Sequence, residues 1–124
     1  MQVIHLSATQ DNGEARVHFP ADEPAFAGHF PKAPVLPGVV LIDTSVILVG
    51  QALGRPLFLK RLDSVKFVRT VAPGDTLDLV FTLQRDPDCP QRIRATARWI
   101  RGGERISEMS WTAGAEAAEG MRQP

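Results

Sequence analysis

The sequence predicts an α+β protein in which one long apolar helix is wrapped by a curved, mostly antiparallel sheet of about six strands. Three observations carry that prediction. Residues 38–54 form an apolar run too long for a buried strand, which usually spans about four to eight residues. Before and after that run, apolar and polar residues alternate with the period of a strand. Turn-forming stretches, among them Gln10-Asp11-Asn12-Gly13, Pro73-Gly74-Asp75 and Gly102-Gly103, separate the alternating segments.

Residues 1–9 and 14–19 read as two strands around the first of these turns, since Asn-Gly is a strong hairpin signal. In the second strand Ala15, Val17 and Phe19 share one face, and Arg16 and His18 the other. Residues 20–37 carry Pro20, Pro24, Pro31, Pro34 and Pro37, which excludes regular helix and central strand and leaves an ordered loop. The helix then starts after Pro37 and stops at Gly54, ahead of Arg55-Pro56. Its apolar residues occupy almost every azimuth, so it is expected to be enclosed on nearly all sides. Four strands follow, near 57–68, 76–85, 91–101 and 104–113. The expected organisation is a single domain over residues 1–114. The small, polar tail 115–124 is expected to be frayed.

Covering so apolar a helix with one small sheet requires much curvature, and a second copy of the chain would cover what remains. A homodimer, or a higher assembly of dimers, is therefore expected. Lys plus Arg equals Asp plus Glu, 14 each, so no net field favours nucleic acid or a membrane surface. The longest apolar stretch, from Val35 to Leu53, contains Pro37 and Asp43 and falls short of the ~20 clean residues that span a bilayer. Met1-Gln2-Val3-Ile4-His5-Leu6 has no basic and apolar leader pattern. The single cysteine, Cys89, sits in the turn-like Asp86-Pro87-Asp88-Cys89-Pro90 and is compatible with a reducing, cytoplasmic setting.

The segment with chemistry in it is Gly28-His29-Phe30-Pro31-Lys32-Ala33-Pro34-Val35-Leu36-Pro37-Gly38-Val39, running on to Asp43. A carboxylate in an apolar helix is costly unless it is paired or protonated. Asp43 therefore has three readings: a local backbone contact through Asp43-Thr44-Ser45, a structural ion pair, or a catalytic acid kept protonated by dry surroundings. His29 reads either as a hydrogen-bonded bystander or as a base, since imidazole titrates near neutrality. Gly38 either permits close packing at the helix start or lets a carbonyl oxygen approach a free helical amide.

Gly-His-Phe-Pro, then Pro34, then Val35-Leu36-Pro37-Gly38-Val39, with an acid fourteen residues after the histidine, resembles the 3-hydroxyacyl-acyl-carrier-protein dehydratases of type II fatty acid synthesis. Val65-Lys66-Phe67-Val68-Arg69-Thr70-Val71-Ala72-Pro73-Gly74-Asp75-Thr76-Leu77 resembles the strand and turn that follow the helix in that family. The resemblance covers roughly residues 26–81. It implies a hot-dog fold, and a dimer whose sites combine His29 of one protomer with Asp43 of the other. By analogy His29 takes the C2 proton, Asp43 assists departure of the C3 hydroxyl, and Phe30, Gly38 and Val39 contact the substrate. The Gly38 amide holds the thioester carbonyl, and neither metal nor organic cofactor is implied. The partner implied is an acyl carrier protein bearing a phosphopantetheine-linked chain.

The sequence departs from the family at Lys32, where glycine is frequent, and at Thr44-Ser45-Val46-Ile47, which replaces a run of small residues and glutamine. Aspartate rather than glutamate at position 43 matches the branch that also isomerises the double bond. A dehydratase of an aryl-polyene or other polyketide-like cluster fits as well as one of fatty acid synthesis. A hot-dog thioesterase, or a non-catalytic acyl-thioester-binding subunit that works with a paired homologue, are the alternatives. His5, His18 and Cys89 read as bystanders. Arg92, Arg94 and Arg98, on one face of a strand, read as a solvated stripe or as a contact for an acidic carrier, with Lys66 and Arg69 as further contacts.

Overall fold

The computed structural model describes residues 1–26 and 34–115. Its elements are β1 (Gln2–Ala8), β2 (Asn12–His18), a 3₁₀ turn (Pro24–Phe26), α1 (Gly38–Leu53), β3 (Phe58–Phe67), β4 (Thr76–Asp86), β5 (Cys89–Arg101) and β6 (Glu104–Gly114). The six strands form one antiparallel sheet in the order β1-β2-β4-β5-β6-β3. Strand alternation sorts the residues as expected. Leu77, Leu79, Phe81 and Leu83 of β4, and Ile93, Ala95, Ala97 and Trp99 of β5, are buried on the inner face. Arg92, Arg94 and Arg98 are exposed on the other.

Helix α1 starts after Pro37 and ends at Gly54, whose φ of 74° is the left-handed conformation that glycine adopts without strain. There the Gly54 amide donates to the Gln51 carbonyl (3.1 Å) and the Arg55 amide to the Gly50 carbonyl (2.9 Å), which satisfies two helix-end acceptors. The β5–β6 hairpin turns on Gly102 and Gly103, with φ of 56° and 83°, as a two-residue turn requires.

Three expectations are corrected. Asn12-Gly13 does not form the first turn: both residues belong to β2, with Gly13 paired to Ala8, and the chain reverses over Thr9–Asp11. The Thr9 hydroxyl fixes that reversal by accepting from the amides of Asp11 and Asn12. Cys89 opens β5 rather than lying in the turn before it. Most consequentially, α1 is not enclosed on nearly all sides. Val39, Asp43, Ile47 and Gln51 are exposed, a stripe of spacing four that a single sheet, packed on the opposite side of the helix, leaves bare. Among the described residues no helix is long and apolar enough to cross a membrane.

Candidate active site

The helix start is held by the segment that follows β3. The Leu36 amide donates to the Val71 carbonyl (2.9 Å), and both residues are buried. The 68–75 loop is braced in turn by Arg101, which donates to the Thr70 carbonyl (3.1 Å) and to the Asp75 carboxylate (2.7 Å). Asp75 also accepts from the Ala72 amide (2.8 Å). The two sequence motifs therefore meet at the entry to α1, through residues 35 positions apart in the chain.

Gly38 lies where they meet. A β-carbon at that position would fall 2.5 Å from the Phe67 ring, so glycine is needed there for packing, whatever else it does. Its amide faces another demand. The Gly38 and Val39 amides find no partner among the described residues, and the Val40 amide donates to the Pro37 carbonyl (3.0 Å). A helix start with unpaired amides attracts an anionic or carbonyl oxygen. Val39 is exposed beside them.

Asp43 stands five residues further on, about 7.5 Å along the helix axis at ~1.5 Å per residue. The expectation that it is buried is corrected: within one chain it is exposed, on the bare stripe between Val39 and Ile47. It makes no ion pair and no side-chain hydrogen bond among the described residues. The backbone-capping and structural-pair readings both lose ground, since its neighbour Ser45, not Asp43, makes the local bond, to the Ile42 carbonyl (2.7 Å). The described residues of its own protomer do not give Asp43 dry surroundings. Gly28, His29, Phe30 and Lys32 lie outside the described residues, as does the tail 116–124.

Sequence reasoning missed the contacts that fix this part of the helix. Trp99 of β5 donates its indole N–H to the Leu41 carbonyl (3.2 Å), and Trp111 of β6 donates to the Ser45 hydroxyl (2.9 Å). Both indoles and Ser45 are fully buried. The available signal was the inward register of two tryptophans, because a buried indole N–H needs an acceptor. His5 and His18 sit on outer strand faces, and His18 pairs with Thr76 (2.9 Å). Cys89 is a free thiol. Among the described residues no three His, Cys, Asp or Glu side chains cluster to hold a metal ion.

Comparison with known proteins adds a family to this geometry. The curated relatives include a 3-hydroxyacyl-[acyl-carrier-protein] dehydratase FabZ from Rickettsia akari (strain Hartford), 41% identical over 100 residues, covering 74% of this chain and 68% of that protein. A FabZ from Cereibacter sphaeroides (strain KD131 / KCTC 12085) is 40% identical over 73 residues, covering 52% of this chain and 47% of that protein. The chain thus spans about half to two thirds of the length of these relatives. The dehydratase heterocomplex ApeI:P from Xenorhabdus doucetiae superposes with a TM-score of 0.69 at 22% identity, covering 91% of this chain and 96% of that one. That likeness shows the fold, a hot-dog. The model of the ApeI-like family, described as ApeI dehydratase, matches residues 5–97, and the chain belongs to that family.

Proposed function

We propose that this protein removes water from a (3R)-3-hydroxyacyl thioester carried on an acyl carrier protein, giving a trans-2-enoyl thioester. The observation that carries the reading is the arrangement on α1: the amides of Gly38 and Val39, which have no partner among the described residues, and Asp43 on the same uncovered side of the helix as Val39. Membership of a dehydratase family, and relatives named as carrier-protein dehydratases, supply the substrate class.

In this reaction the thioester carbonyl accepts from the Gly38 amide, which stabilises the charge that develops as the neighbouring carbon loses its proton. His29 takes the C2 proton. Protonated Asp43 delivers a proton to the C3 hydroxyl, the C3–O bond breaks, and water leaves as the C2–C3 double bond forms. Proton transfer from imidazolium to carboxylate then restores both groups. No redox partner is required.

A second chain completes the site in this reading. The start of α1 meets an edge strand, β3, at Gly38 and Phe67, and Phe58, Leu62, Val65 and Phe67 are exposed on that strand. An edge strand that exposes four large apolar side chains among its ten residues invites pairing with another strand. A second copy docked there would bring its His29 to Asp43 and make the surroundings of the carboxyl dry. The heterocomplex of the Xenorhabdus doucetiae dehydratase favours, as a second reading, a homologous chain in place of the second copy.

The test is incubation with 3-hydroxyacyl carrier substrates of several chain lengths, with product mass read directly. Loss of 18 mass units, as roughly one water, is expected for the wild type. Both His29→Ala and Asp43→Asn should lower turnover by about 10²-fold or more, the scale of a lost acid or base. Folded variants that both keep full activity would overturn the assignment. Release of free thiol would identify a thioesterase, and tight carrier binding without turnover a non-catalytic subunit.

A further inference from the structure

We infer that Trp99 and Trp111 are positioning residues, whose two indole N–H groups set the rotation and axial register of α1 and thereby aim Asp43. The inference rests on the catalytic reading of Asp43 given above.

Hydrophobic burial alone pins this helix weakly. Val39 and Ile47 on the bare stripe are as apolar as the buried Leu41, Ile42, Val46, Leu48 and Val49, so only Asp43 and Gln51 mark the outer face of the helix. Burial is non-directional, whereas hydrogen bonds are directional. The two indoles supply direction. Each is fully buried, and a buried donor left without an acceptor costs about 1–3 kcal/mol. Trp99 finds its acceptor at the Leu41 carbonyl. Trp111 finds its acceptor at Ser45 Oγ, whose own O–H donates to the Ile42 carbonyl and which lies 3.5 Å from Met109 Sδ. Turning α1 in place carries the Leu41 carbonyl and Ser45 Oγ away from their donors together, and a screw displacement that offers Trp99 another carbonyl still removes Ser45 from Trp111.

The attachment is two-point and local to the acid. Leu41 and Ile42 are the two residues immediately before Asp43, and Ser45 is two after it. Trp111 pairs across the sheet with Ala95, four residues along β5 from Trp99, so the anchors are about 13 Å apart along the strands at ~3.3 Å per residue. On the helix the two held points, Leu41 and Ser45, are about 6 Å apart along the axis, and two such points resist tilt as well as rotation. Asp43 projects from the exposed side of the helix, while the indoles approach from the sheet. They act through the backbone and do not touch substrate.

Kinetics and backbone hydrogen exchange on the full chain test this. Trp111→Phe is expected to lower kcat about tenfold to a hundredfold with KM within about threefold, since a displacement near 1 Å costs on that scale. Amide exchange over residues 41–49 should quicken at least about tenfold while β4 is unchanged, the signature of a local rather than global opening. Ser45→Ala breaks the same bond, so the double variant should lose no more than the worse single one, whereas adding Trp99→Phe should multiply the loss. A folded Trp111→Phe variant with either readout unmoved overturns the inference, as does exchange that rises equally over helix and sheet. Should Trp111→Phe fail to fold, Trp99→Phe decides by the same two readouts. Asp43→Asn, assayed alongside, separates the two claims. Full activity in that variant sinks the catalytic reading, while helix exchange still reports on the clamp.

Discussion

At Gly38 the Phe67 ring packs against the backbone, and the amide has no partner among the described residues, so one glycine serves both a packed side chain and an open donor. Asp43 was readable as an anomaly in an apolar run, and its exposure was not, because side-chain pattern reports how apolar a helix is and not how many chains cover it. Asp63 on β3 was not singled out at all. Its side chain, 12% exposed, accepts from Arg61 and from the Thr112 hydroxyl (3.0 Å), and Arg94 lies 3.8 Å away. The hydrogen bond from Arg61 is the largest influence holding its carboxyl below the ordinary value of 3.8. A carboxyl lowered by folding stabilises the folded state fully above its unfolded value and loses that contribution as pH falls through the folded value. The gap in denaturation midpoint between wild type and Asp63→Asn is therefore expected to be constant from neutral pH down to the ordinary aspartate range, and to close below pH 3.8. A gap that widens on acidification would refute this assignment of the ion pair.

At the scale of elements, the sequence was most informative where backbone rules act alone. The bounds of α1 followed from Pro37 and Gly54, and those of β3 to β6 from alternation and glycine turns, because proline, glycine and strand period impose local geometry regardless of what packs nearby. The Asn12-Gly13 turn misled for the complementary reason. The ladder between β1 and β2 extends through Gly13, where a β-carbon would fall 2.4 Å from the Phe81 ring, so this glycine serves a close approach and not a reversal. The helix stop offers a clean test of a purely backbone effect. Nothing lies within 4 Å of a β-carbon built at Gly54, so Gly54→Ala should cost about 1 kcal/mol from the left-handed conformation alone. Chemical denaturation of the two proteins measures it. A neutral or stabilising result would show that the helix end rearranges.

For the whole molecule, an apolar edge on β3 and an uncovered helix stripe set the expected assembly. If both are covered by a second chain, Leu62→Glu should shift the sizing profile toward monomer and lower turnover in parallel, since each site would take residues from two chains. A variant that elutes as monomer and keeps full turnover would place the site within one chain. The strand order has another consequence, for how the polypeptide matures. The last of the six described strands in chain order, β6, is inserted between β5 and β3, so β3 has no neighbour to pair with among the described strands until residues 104–114 have been made. Until then the nascent chain holds α1 and the Phe58–Phe67 segment without the Trp111 anchor of the helix. Elongation at about 5–20 residues per second keeps that interval open for a few seconds, long enough for a chaperone to bind or for two nascent chains to meet at the wrong edge.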